Sequence, residues 1–272
     1  MLKNNDLILG IDLGGTNLSF RLEAPQELLA SGSMATSRNF STQLTSFYQS
    51  LVREFGPIHT VSLGVPGPVK GNVMGPSFPL GTTDEYTFER CFKGVSHLIV
   101  KNDLFMALTA EMVEGHGTDY RNLVLVSIST GIGTAVALDG IPLDIRSEMG
   151  HQRIGVIDTE DAECVNHSNC WASMCSGKAI SKKEGSLDLE LIKSANLDAF
   201  LNITAAYDPE AIVIMGGVGV RLFNKVIPMQ KDLAAMALLG TAPAVLKTNL
   251  GDDIGAIGAI EHARSTRVSK ID

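Results

Sequence analysis

The sequence predicts an α/β protein with helices on both sides of a mixed sheet, and three observations lead to that class. Short continuous apolar runs, such as Val61 to Val65 and Ala211 to Met215, are typical of buried strands. They alternate along the chain with longer segments of helical spacing. Twice, at Gly14-Gly15 and again near Gly131, a strand enters a glycine turn and a second strand follows. This repeated device predicts a duplicated architecture, although no repeat is visible residue by residue.

The individual elements follow from the hydrophobic spacing typical of strands, from that typical of helices, and from the residues that interrupt these patterns. Leu7 to Ile11 is a continuous apolar run, and apolar residues alternate over 18–22 after the glycine turn, which predicts a β-hairpin. Pro57 ends the first helical pattern. The remaining predicted elements are helices over 41–55, 104–115, 188–207 and 254–263, and strands over 61–65, 98–100, 123–128, 135–138 and 211–215, with a loop-rich segment over 139–177.

Composition excludes several classes of protein. The 272 residues are 44% hydrophobic and 19% charged, which indicates a globular chain of one large or two ordinary domains. A net charge of -8 argues against a nucleic-acid partner, which usually meets a basic surface. No signal peptide and no apolar stretch long enough to cross a bilayer is visible, so we expect a cytoplasmic protein without a membrane partner.

The glycine turns are candidate phosphate sites. Glycines allow backbone N–H groups to approach an anion closely and permit positive φ. Thr16 and Asn17 add neutral donors, and Asp12 at the strand end is suited to hold Mg²⁺ beside phosphate oxygens. An ordinary hairpin turn is an equally good interpretation of either loop alone. Neither a P-loop motif nor a Rossmann glycine motif occurs, so a nucleotide would be held in another way.

Short motifs spread over nearly the whole chain resemble those of the ROK family (repressor, open reading frame, kinase) of the actin-like ATPase superfamily. They are, in order, Asp12-Leu-Gly-Gly-Thr16, Gly64-Val-Pro-Gly67, Asn102-Asp103 with Glu111, Ser129-Thr-Gly-Ile-Gly133, Glu148-Met-Gly-His151, Cys170 with Ser176-Gly177, Asp208-Pro209-Glu210, Gly216-Gly217 and Gly255-Ala-Ile-Gly258. The resemblance implies two RNase H-like domains with the active site in a central cleft. The predicted lobes are residues 1–103 with 253–272, and residues 104–252.

The resemblance implies a sugar kinase that uses ATP and Mg²⁺, and it assigns roles to particular residues. Asp103 matches the family's catalytic base, a role that a carboxylate at a strand end can perform. Capping of the following helix by Asn102-Asp103 is an equally common use of such a pair. The implied phosphate and nucleotide residues are Asp12, Gly14, Gly15, Thr16, Asn17, Thr130, Gly131, Gly133, Gly216 and Gly217. The implied sugar-binding residues are Gly67, Asn102, Asp103, Glu148 and His151.

A zinc site is a further expectation that the sequence leaves open. His151, Cys164, His167 and Cys170 would supply four nitrogen and sulfur ligands, the set that structural Zn²⁺ prefers. The spacing of the two cysteines around His167 differs from the family's usual cysteine run. Free buried thiols and an incidental histidine are the alternative.

Two further departures bear on substrate and activity. Ala172 stands where the family has a sugar-binding glutamate, and Ser77 stands where it usually has an asparagine.

The expected reaction is phosphorylation of a hexose or related sugar, most often at the 6-hydroxyl in this family, and the motifs faintly resemble those of allose kinases. The alternative is a weak or inactive sugar-binding sensor. Because the first predicted strand begins near Leu7, we do not expect the N-terminal DNA-binding helices of the family's repressors. The family also suggests a homodimer.

Overall fold

The computed structural model describes residues 7–25, 27–145, 147–155, 169–182, 188–235 and 242–268. They group into two compact units, of which the first comprises Met1–Val113 with Leu250–Asp272 and the second Glu114–Asn249. The helix that begins at Asp103 belongs with the first unit, because Phe105 and Met106 pack against Ala259. The lobe boundaries given above, at residues 103/104 and 252/253, stay a prediction.

The strands lie close to the predicted positions, and several short ones accompany them. In chain order they are β1 (Ile8–Leu13), β2 (Asn17–Ala24), β3 (Glu27–Ala35), β4 (Thr60–Val65), β5 (Val69–Lys70), β6 (Val73–Met74), β7 (Tyr86–Thr87), β8 (His97–Asn102), β9 (Leu123–Ile128), β10 (Ile132–Leu138), β11 (Ile141–Pro142), β12 (Ala211–Met215) and β13 (Ala244–Lys247).

The helices include all four that the spacing predicted. In chain order they are α1 (Phe40–Phe55), α2 (Asp103–Glu114), α3 (Trp171–Cys175), α4 (Gly177–Ser181), α5 (Leu189–Tyr207), α6 (Gly217–Arg221), α7 (Phe223–Val226), α8 (Gln230–Ala234) and α9 (Ile254–Val268), with 3-10 turns at His116–Thr118, Met149–His151 and Gly251–Asp253.

The ends of the long helices follow from local chemistry. Asn39 caps α1 by accepting a hydrogen bond from the third residue of the helix, and Gly56 ends α1 with φ of 90°. The carboxylate of Asp188 accepts from the backbone N–H of Leu191 at 3.0 Å and so caps α5. Asp208 ends α5 in the left-handed conformation with φ of 43°. These caps explain why the periodic segments begin and end where they do.

The main sheets of the two units have the same plan. In the first unit the order is β3-β2-β1-β4-β8, and in the second it is β11-β10-β9-β12-β13. In each sheet the central strand pairs antiparallel with the strand that follows its glycine turn and parallel with a strand on its other side. The duplicated architecture predicted from the two glycine hairpins is therefore confirmed at the level of topology.

Strand β3 was missed by the sequence analysis because it lies at the edge of its sheet. None of its residues is buried, and its sequence, Glu-Leu-Leu-Ala-Ser-Gly-Ser-Met-Ala, lacks the alternation that burial of one face would impose. The antiparallel register with β2 holds it in place. Edge strands of this kind are determined by their neighbour rather than by their own pattern.

Helix α9 packs tightly on the first sheet and on α2 through glycines. A Cβ atom added to Gly10 of β1 would lie 2.5 Å from the carbonyl oxygen of Ala256. One added to Gly258 would lie 1.6 Å from the carbonyl oxygen of Met106 in α2. Glycine at both positions lets the backbones approach closely, and this approach fixes the start of α9 near the carboxyl ends of the central strands.

None of the helices in the described ranges is both long and apolar enough to cross a membrane.

Candidate active site

Two aspartates of the first unit lie together at the carboxyl ends of two parallel strands, β1 and β8, which are separated in the sheet by β4. Asp12 of β1 is in register with Gly64 of β4, and Asp103 begins α2 directly after β8. A Cβ atom on Gly64 would lie 3.6 Å from Oδ1 of Asp12 and 3.4 Å from Cα of Asp103. The two residues therefore flank Gly64, and any larger residue there would be in contact with both.

The surroundings of this pair disfavour negative charge. Burial, followed by the charge of Asp103, raises the pKa of Asp12 to about 7. Burial also raises the pKa of Asp103 to about 6, against the lowering effect of hydrogen bonds from the Leu104 and Asp103 amides and from Asn102. Within the described residues neither carboxylate forms an ion pair with a lysine or arginine. Two adjacent carboxyl groups without a basic partner are suited to bind a proton or a cation.

Asn102 caps helix α2, as one of the two interpretations of the Asn102-Asp103 pair predicted. Its Oδ1 accepts from the backbone N–H groups of Leu104 at 3.0 Å and Phe105 at 3.3 Å. The backbone N–H of Leu104 also donates to Oδ1 of Asp103 at 2.9 Å, a bond between adjacent residues. Asn102 therefore supplies the bonds that span the first turn of α2, and the catalytic role expected of Asp103 stays a prediction.

The Asn102 amide also fixes the loop that contains Gly67. Its Nδ2 donates to the Gly67 carbonyl oxygen at 3.1 Å. Gly67 has φ of 134°, a conformation that side chains rarely adopt, and the carbonyl oxygen of Pro76 approaches it closely. Of the predicted sugar-binding residues, Gly67, Asn102 and Asp103 thus lie together in the first unit, with Asn102 positioning the other two.

The first glycine turn, at residues 14–17, is held by its own backbone and by Thr36, which directly follows β3. The N–H of Gly14 donates to the Asn17 carbonyl at 2.9 Å, and the Thr36 hydroxyl donates to the Gly14 carbonyl at 2.7 Å. Neither Gly14 nor Gly15 has positive φ, so the conformational freedom of glycine is not used here, and the expected approach of an anion to this turn stays a prediction. Close approach is the reason for glycine here, since a Cβ on Gly15 would lie 2.6 Å from the Pro79 carbonyl oxygen. Gly15, Thr16 and Asn17 are exposed.

Gly255 is a site residue to which the sequence analysis gave no role. A Cβ atom there would lie 2.4 Å from both Cγ and Oδ2 of Asp12. The Asp12 carboxylate therefore rests against the first turn of α9. The signal was present in the Gly255-Ala-Ile-Gly258 motif, but its partner became visible only in the folded chain.

The second glycine turn, at residues 129–131, is also held by hydrogen bonds, here from the backbone at the start of α4. The N–H of Gly177 donates to the Ser129 carbonyl at 2.7 Å, and that of Lys178 donates to the Thr130 carbonyl at 3.2 Å. Thr130 and Gly131 remain exposed, whereas Gly133 is already within β10. Predicted phosphate contacts at Thr130 and Gly131 thus lie on an accessible turn.

Gly216 and Gly217 lie next to that turn, at the carboxyl end of β12. Gly216 has φ of 83°, and a Cβ on it would lie 2.6 Å from the carbonyl oxygen of Ile128, the last residue of β9. Gly217 begins α6. The fold of the second unit therefore brings these predicted nucleotide residues to the same end of the sheet as the second glycine turn.

Glu148 and His151 lie at the two ends of a 3-10 turn beside the start of β10, with Glu148 as its N-cap. The Gly150 between them is buried, and a Cβ there would lie 2.1 Å from the carbonyl oxygen of Ile132. Both Glu148 and His151 are exposed, and the His151 N–H donates to the Glu148 carbonyl at 2.9 Å. The close approach of Gly150 explains the glycine of this motif and fixes the two flanking side chains on the same turn.

Half of the predicted zinc ligands can be placed. Nδ1 of His151 lies 3.9 Å from Sγ of Cys170, which is fully buried. Cys164 and His167 lie outside the described residues. Within the part of the chain that the structure describes, no group of three or more histidine, cysteine or acidic side chains is arranged to hold a metal. Zinc binding therefore stays a prediction.

The two departures from the family pattern have different surroundings. Ala172 is half-buried on α3, and the neighbouring Ser173 is 3% exposed with its hydroxyl donating to the Cys170 carbonyl. Ser173 therefore does not present a substitute for the missing carboxylate. Ser77 is 1% exposed, and its hydroxyl donates to the Pro66 carbonyl. Its side chain supports the loop at Gly67 rather than facing a ligand.

Residues 8–200 match the model of the family described as ROK family. The chain belongs to the ROK family. A fructokinase of Zymomonas mobilis is 27% identical, with 95% of this chain and 97% of the relative covered. A ROK family glucokinase from Streptomyces griseus, solved with glucose and AMPPNP, has a TM-score of 0.74 at 18% identity, covering 95% of this chain and 99% of its own. A ROK family transcriptional regulator, a homologue of the E. coli MLC protein, has a TM-score of 0.71 at 19% identity. The match covers 94% of this chain and 78% of the regulator.

These relationships confirm the broad predictions. The α/β class with two RNase H-like domains of the actin-like ATPase fold is confirmed by the matching sheet orders and by the likeness to ROK structures. The prediction of a sugar kinase is confirmed at the level of the ROK family, whose curated members similar to this chain are named as fructokinases, a glucokinase and a kanosamine kinase.

Proposed function

We propose that the chain transfers the γ-phosphoryl group of ATP to a hydroxyl of a hexose or related sugar, at the 6-position, with Asp103 as the general base. The observation that carries this proposal is the state of Asp103. Its helix is capped by Asn102, it lies with Asp12 beside Gly64, and burial raises its pKa to about 6. A base with a pKa near the working pH combines a large ionised fraction with useful basicity.

In the proposed reaction the sugar hydroxyl oxygen attacks the γ-phosphorus and the bond from that phosphorus to the ADP oxygen breaks. The hydroxyl proton passes to the Asp103 carboxylate. Asn102 orients the base by holding the first turn of α2 and the Gly67 loop together. Because phosphoryl transfer involves little covalent work by the protein, positioning and charge stabilisation account for most of the rate.

Asp12 is the proposed holder of Mg²⁺. Its carboxylate lies beside that of Asp103, is not paired with a basic side chain of the described residues, and has a pKa raised to about 7. These properties fit a divalent cation, which would relieve the repulsion between the two carboxylates. When bound with ATP, Mg²⁺ neutralises charge on the phosphates.

The residues of the two glycine turns are proposed to contact ATP. Gly14, Gly15, Thr16 and Asn17 on the first turn, and Thr130, Gly131 and Gly133 on the second, would donate to phosphate oxygens. Gly216 and Gly217 are proposed to lie beside the adenosine. Glu148 and His151 are proposed to bind sugar hydroxyls, because a carboxylate and an imidazole on one turn can serve adjacent hydroxyl groups.

The proposal is tested by measuring ADP release with a panel of sugars that includes glucose, fructose, mannose, allose, N-acetylmannosamine and kanosamine. We expect sugar-dependent ADP release with at least one of them and a sugar phosphate as the product. The alternative is a sugar-binding sensor, which Ala172 favours by removing an acceptor for a substrate hydroxyl. Binding of a sugar without ADP release across the panel would support the sensor and contradict the kinase.

A substitution in α9 tests the position of Asp12. In Gly255→Ala the new methyl group would occupy the place of the Asp12 carboxylate, because a Cβ atom at residue 255 would lie 2.4 Å from its Cγ. We expect kcat to fall by about 10²-fold, the effect of displacing a catalytic group by about 1 Å. Steady-state kinetics with the best sugar of the panel measure the change.

The double variant with Asp12→Asn distinguishes this mechanism from a general disturbance of α9. If Gly255→Ala acts through Asp12, its effect on kcat should shrink when Asp12 has already been replaced. Equal effects in both backgrounds would show that the glycine acts on the enzyme in some other way.

A further inference from the structure

The loop between β6 and β7 carries an exposed aromatic side chain on a tight turn. Ser77 and Thr82 form a two-way backbone bridge with both N–H to O distances at 3.0 Å. Within that bridge the Gly81 N–H donates to the Phe78 carbonyl at 3.1 Å, and Gly81 has φ of 66°. The turn is therefore fixed by its own backbone, and the position of Phe78 is defined.

The residues on both sides of Phe78 are attached to loops of the candidate site. On one side, Ser77 is buried and donates to the Pro66 carbonyl, and its Cβ is 3.5 Å from the place of a Cβ on Gly67. On the other side, the Pro79 carbonyl oxygen packs against Gly15 of the first glycine turn. Phe78 thus stands between the loop held by Asn102 and the turn proposed to bind phosphate.

Despite these anchored neighbours, Phe78 is 84% exposed. An isolated exposed apolar residue is ordinary on a protein surface, but this one lies between two parts of the site. The first unit also has an aromatic cluster formed by Phe40, Tyr86 and Phe88, and among the described ring contacts none joins Phe78 to it. Core packing therefore does not account for this side chain.

We propose that Phe78 is a specificity-determining residue that forms an apolar wall of the acceptor-sugar site. Its ring would pack against the C–H face of a pyranose, while polar groups such as Asp103 bind the hydroxyls. Small-molecule sites commonly combine aromatic walls with a few polar groups that fix orientation. The rigid turn lowers the entropy lost when the ring is ordered against the ligand. This inference rests on the proposed sugar-kinase function, whose acceptor site it describes.

The test compares the wild-type chain with Phe78→Ala, Phe78→Trp and the control Leu28→Ala. Leu28 is also an exposed apolar residue of the first unit, 45% exposed, and its register places it at the opposite end of the sheet from Asp12. Sugar dissociation constants are measured by calorimetry for the same panel, and KM and kcat are measured for each sugar that is phosphorylated.

We expect Phe78→Ala to raise the Kd and KM for the sugar about tenfold, the size of effect given by one lost aromatic contact. The KM for ATP should stay within about twofold, and Phe78→Trp should restore much of the sugar affinity because it keeps an aromatic face. Leu28→Ala should leave all constants unchanged.

The outcomes separate this inference from the proposed function. If Phe78→Ala weakens sugar binding but the wild type phosphorylates no sugar, the kinase proposal is overturned and the contact between Phe78 and the sugar is supported. If the wild type phosphorylates a sugar and Phe78→Ala leaves the Kd and KM for that sugar unchanged, the kinase proposal is supported and the role of Phe78 in the sugar site is overturned. A change in oligomeric state of Phe78→Ala, seen by sedimentation with unaltered sugar affinity, would assign the ring to a contact between copies instead. Absence of sugar binding by the wild type would overturn both.

Discussion

Replacing Asp103 with asparagine should lower kcat by about 10²- to 10⁴-fold, the range found for loss of a general base. Asparagine has nearly the same shape and can still accept the local hydrogen bond from the Leu104 N–H through its carbonyl oxygen. It cannot accept the hydroxyl proton. Helix α2 should remain intact because Asn102 supplies its cap. Kinetics with the best sugar of the panel, together with thermal unfolding, measure the two effects.

Asp119→Asn is the matched control for this substitution. Asp119 is an exposed aspartate that ends the 3-10 turn at His116–Thr118, a turn without any residue assigned a role above. The same change there should leave kcat unaltered. Turnover by Asp103→Asn close to that of the wild type would refute the assignment of the base.

The pH profile gives a second readout for Asp103. A carboxylate can accept a proton only when it is ionised, and burial raises the pKa of Asp103 to about 6. We therefore expect kcat/KM of the wild type to rise with pH through about 6 and to fall roughly tenfold per pH unit below it. Because Asp12 and Asp103 interact, the measured value belongs to the pair. The residual activity of Asp103→Asn should lack this acidic limb.

Replacing Asp12 with asparagine should abolish most activity and yet stabilise the protein at pH 8. The activity should fall by about 10²-fold or more, because the proposed cation ligand and its charge are lost. The stabilisation follows from the pKa of Asp12, which burial and the Asp103 charge raise to about 7. Above that pH the wild type keeps a buried ionised carboxylate next to a second one, and asparagine removes that unfavourable charge.

The sign of the pH dependence follows from proton binding. A carboxyl group with a raised pKa binds protons more tightly in the folded than in the unfolded state. The stability that it contributes is therefore complete below about pH 4 and is lost as pH rises through about 7. The advantage of Asp12→Asn should be largest at pH 8, at least ~1 kcal/mol or about 2–4 °C in Tm, and should shrink towards pH 5.

Magnesium provides an independent check on Asp12. A ligand that binds only the folded state raises Tm, so Mg²⁺ should stabilise the wild type and the Asp119→Asn control but have a smaller effect on Asp12→Asn. Two results would contradict the role of Asp12. One is an Asp12→Asn variant that is no more stable than the wild type at pH 8, and the other is equal protection of both proteins by Mg²⁺.

Much of the fold could be predicted because its determinants are local. The apolar runs of β9 and β12 matched their observed bounds, since a strand buried on both faces has a continuous apolar sequence. The long helices α1 and α5 were predicted to within a residue, because caps and periodicity lie in the segment itself. Strands β3 and β13 were not predicted, because edge strands depend on pairing with a neighbour.

The candidate site likewise has some features that are set by local sequence and others that depend on contacts formed by folding. The sequence by itself determined which residue types were available: the glycine turns, Asp12, Asn102 and Asp103. Motif order also indicated the family, because those residues recur in a fixed succession. It did not decide between capping and catalysis for Asn102-Asp103, since both uses require the same residues at the same spacing.

Only the tertiary structure decided how these residues act on one another. It assigned the cap of α2 to Asn102 and brought Asp103 together with Asp12 beside Gly64. It placed Gly255, from the far end of the chain, against the Asp12 carboxylate, and it left Phe78 exposed between two site loops. The physical reason is that periodicity and caps are properties of neighbours along the chain. Burial, charge repulsion and close backbone approach depend instead on distances between residues that only folding brings together.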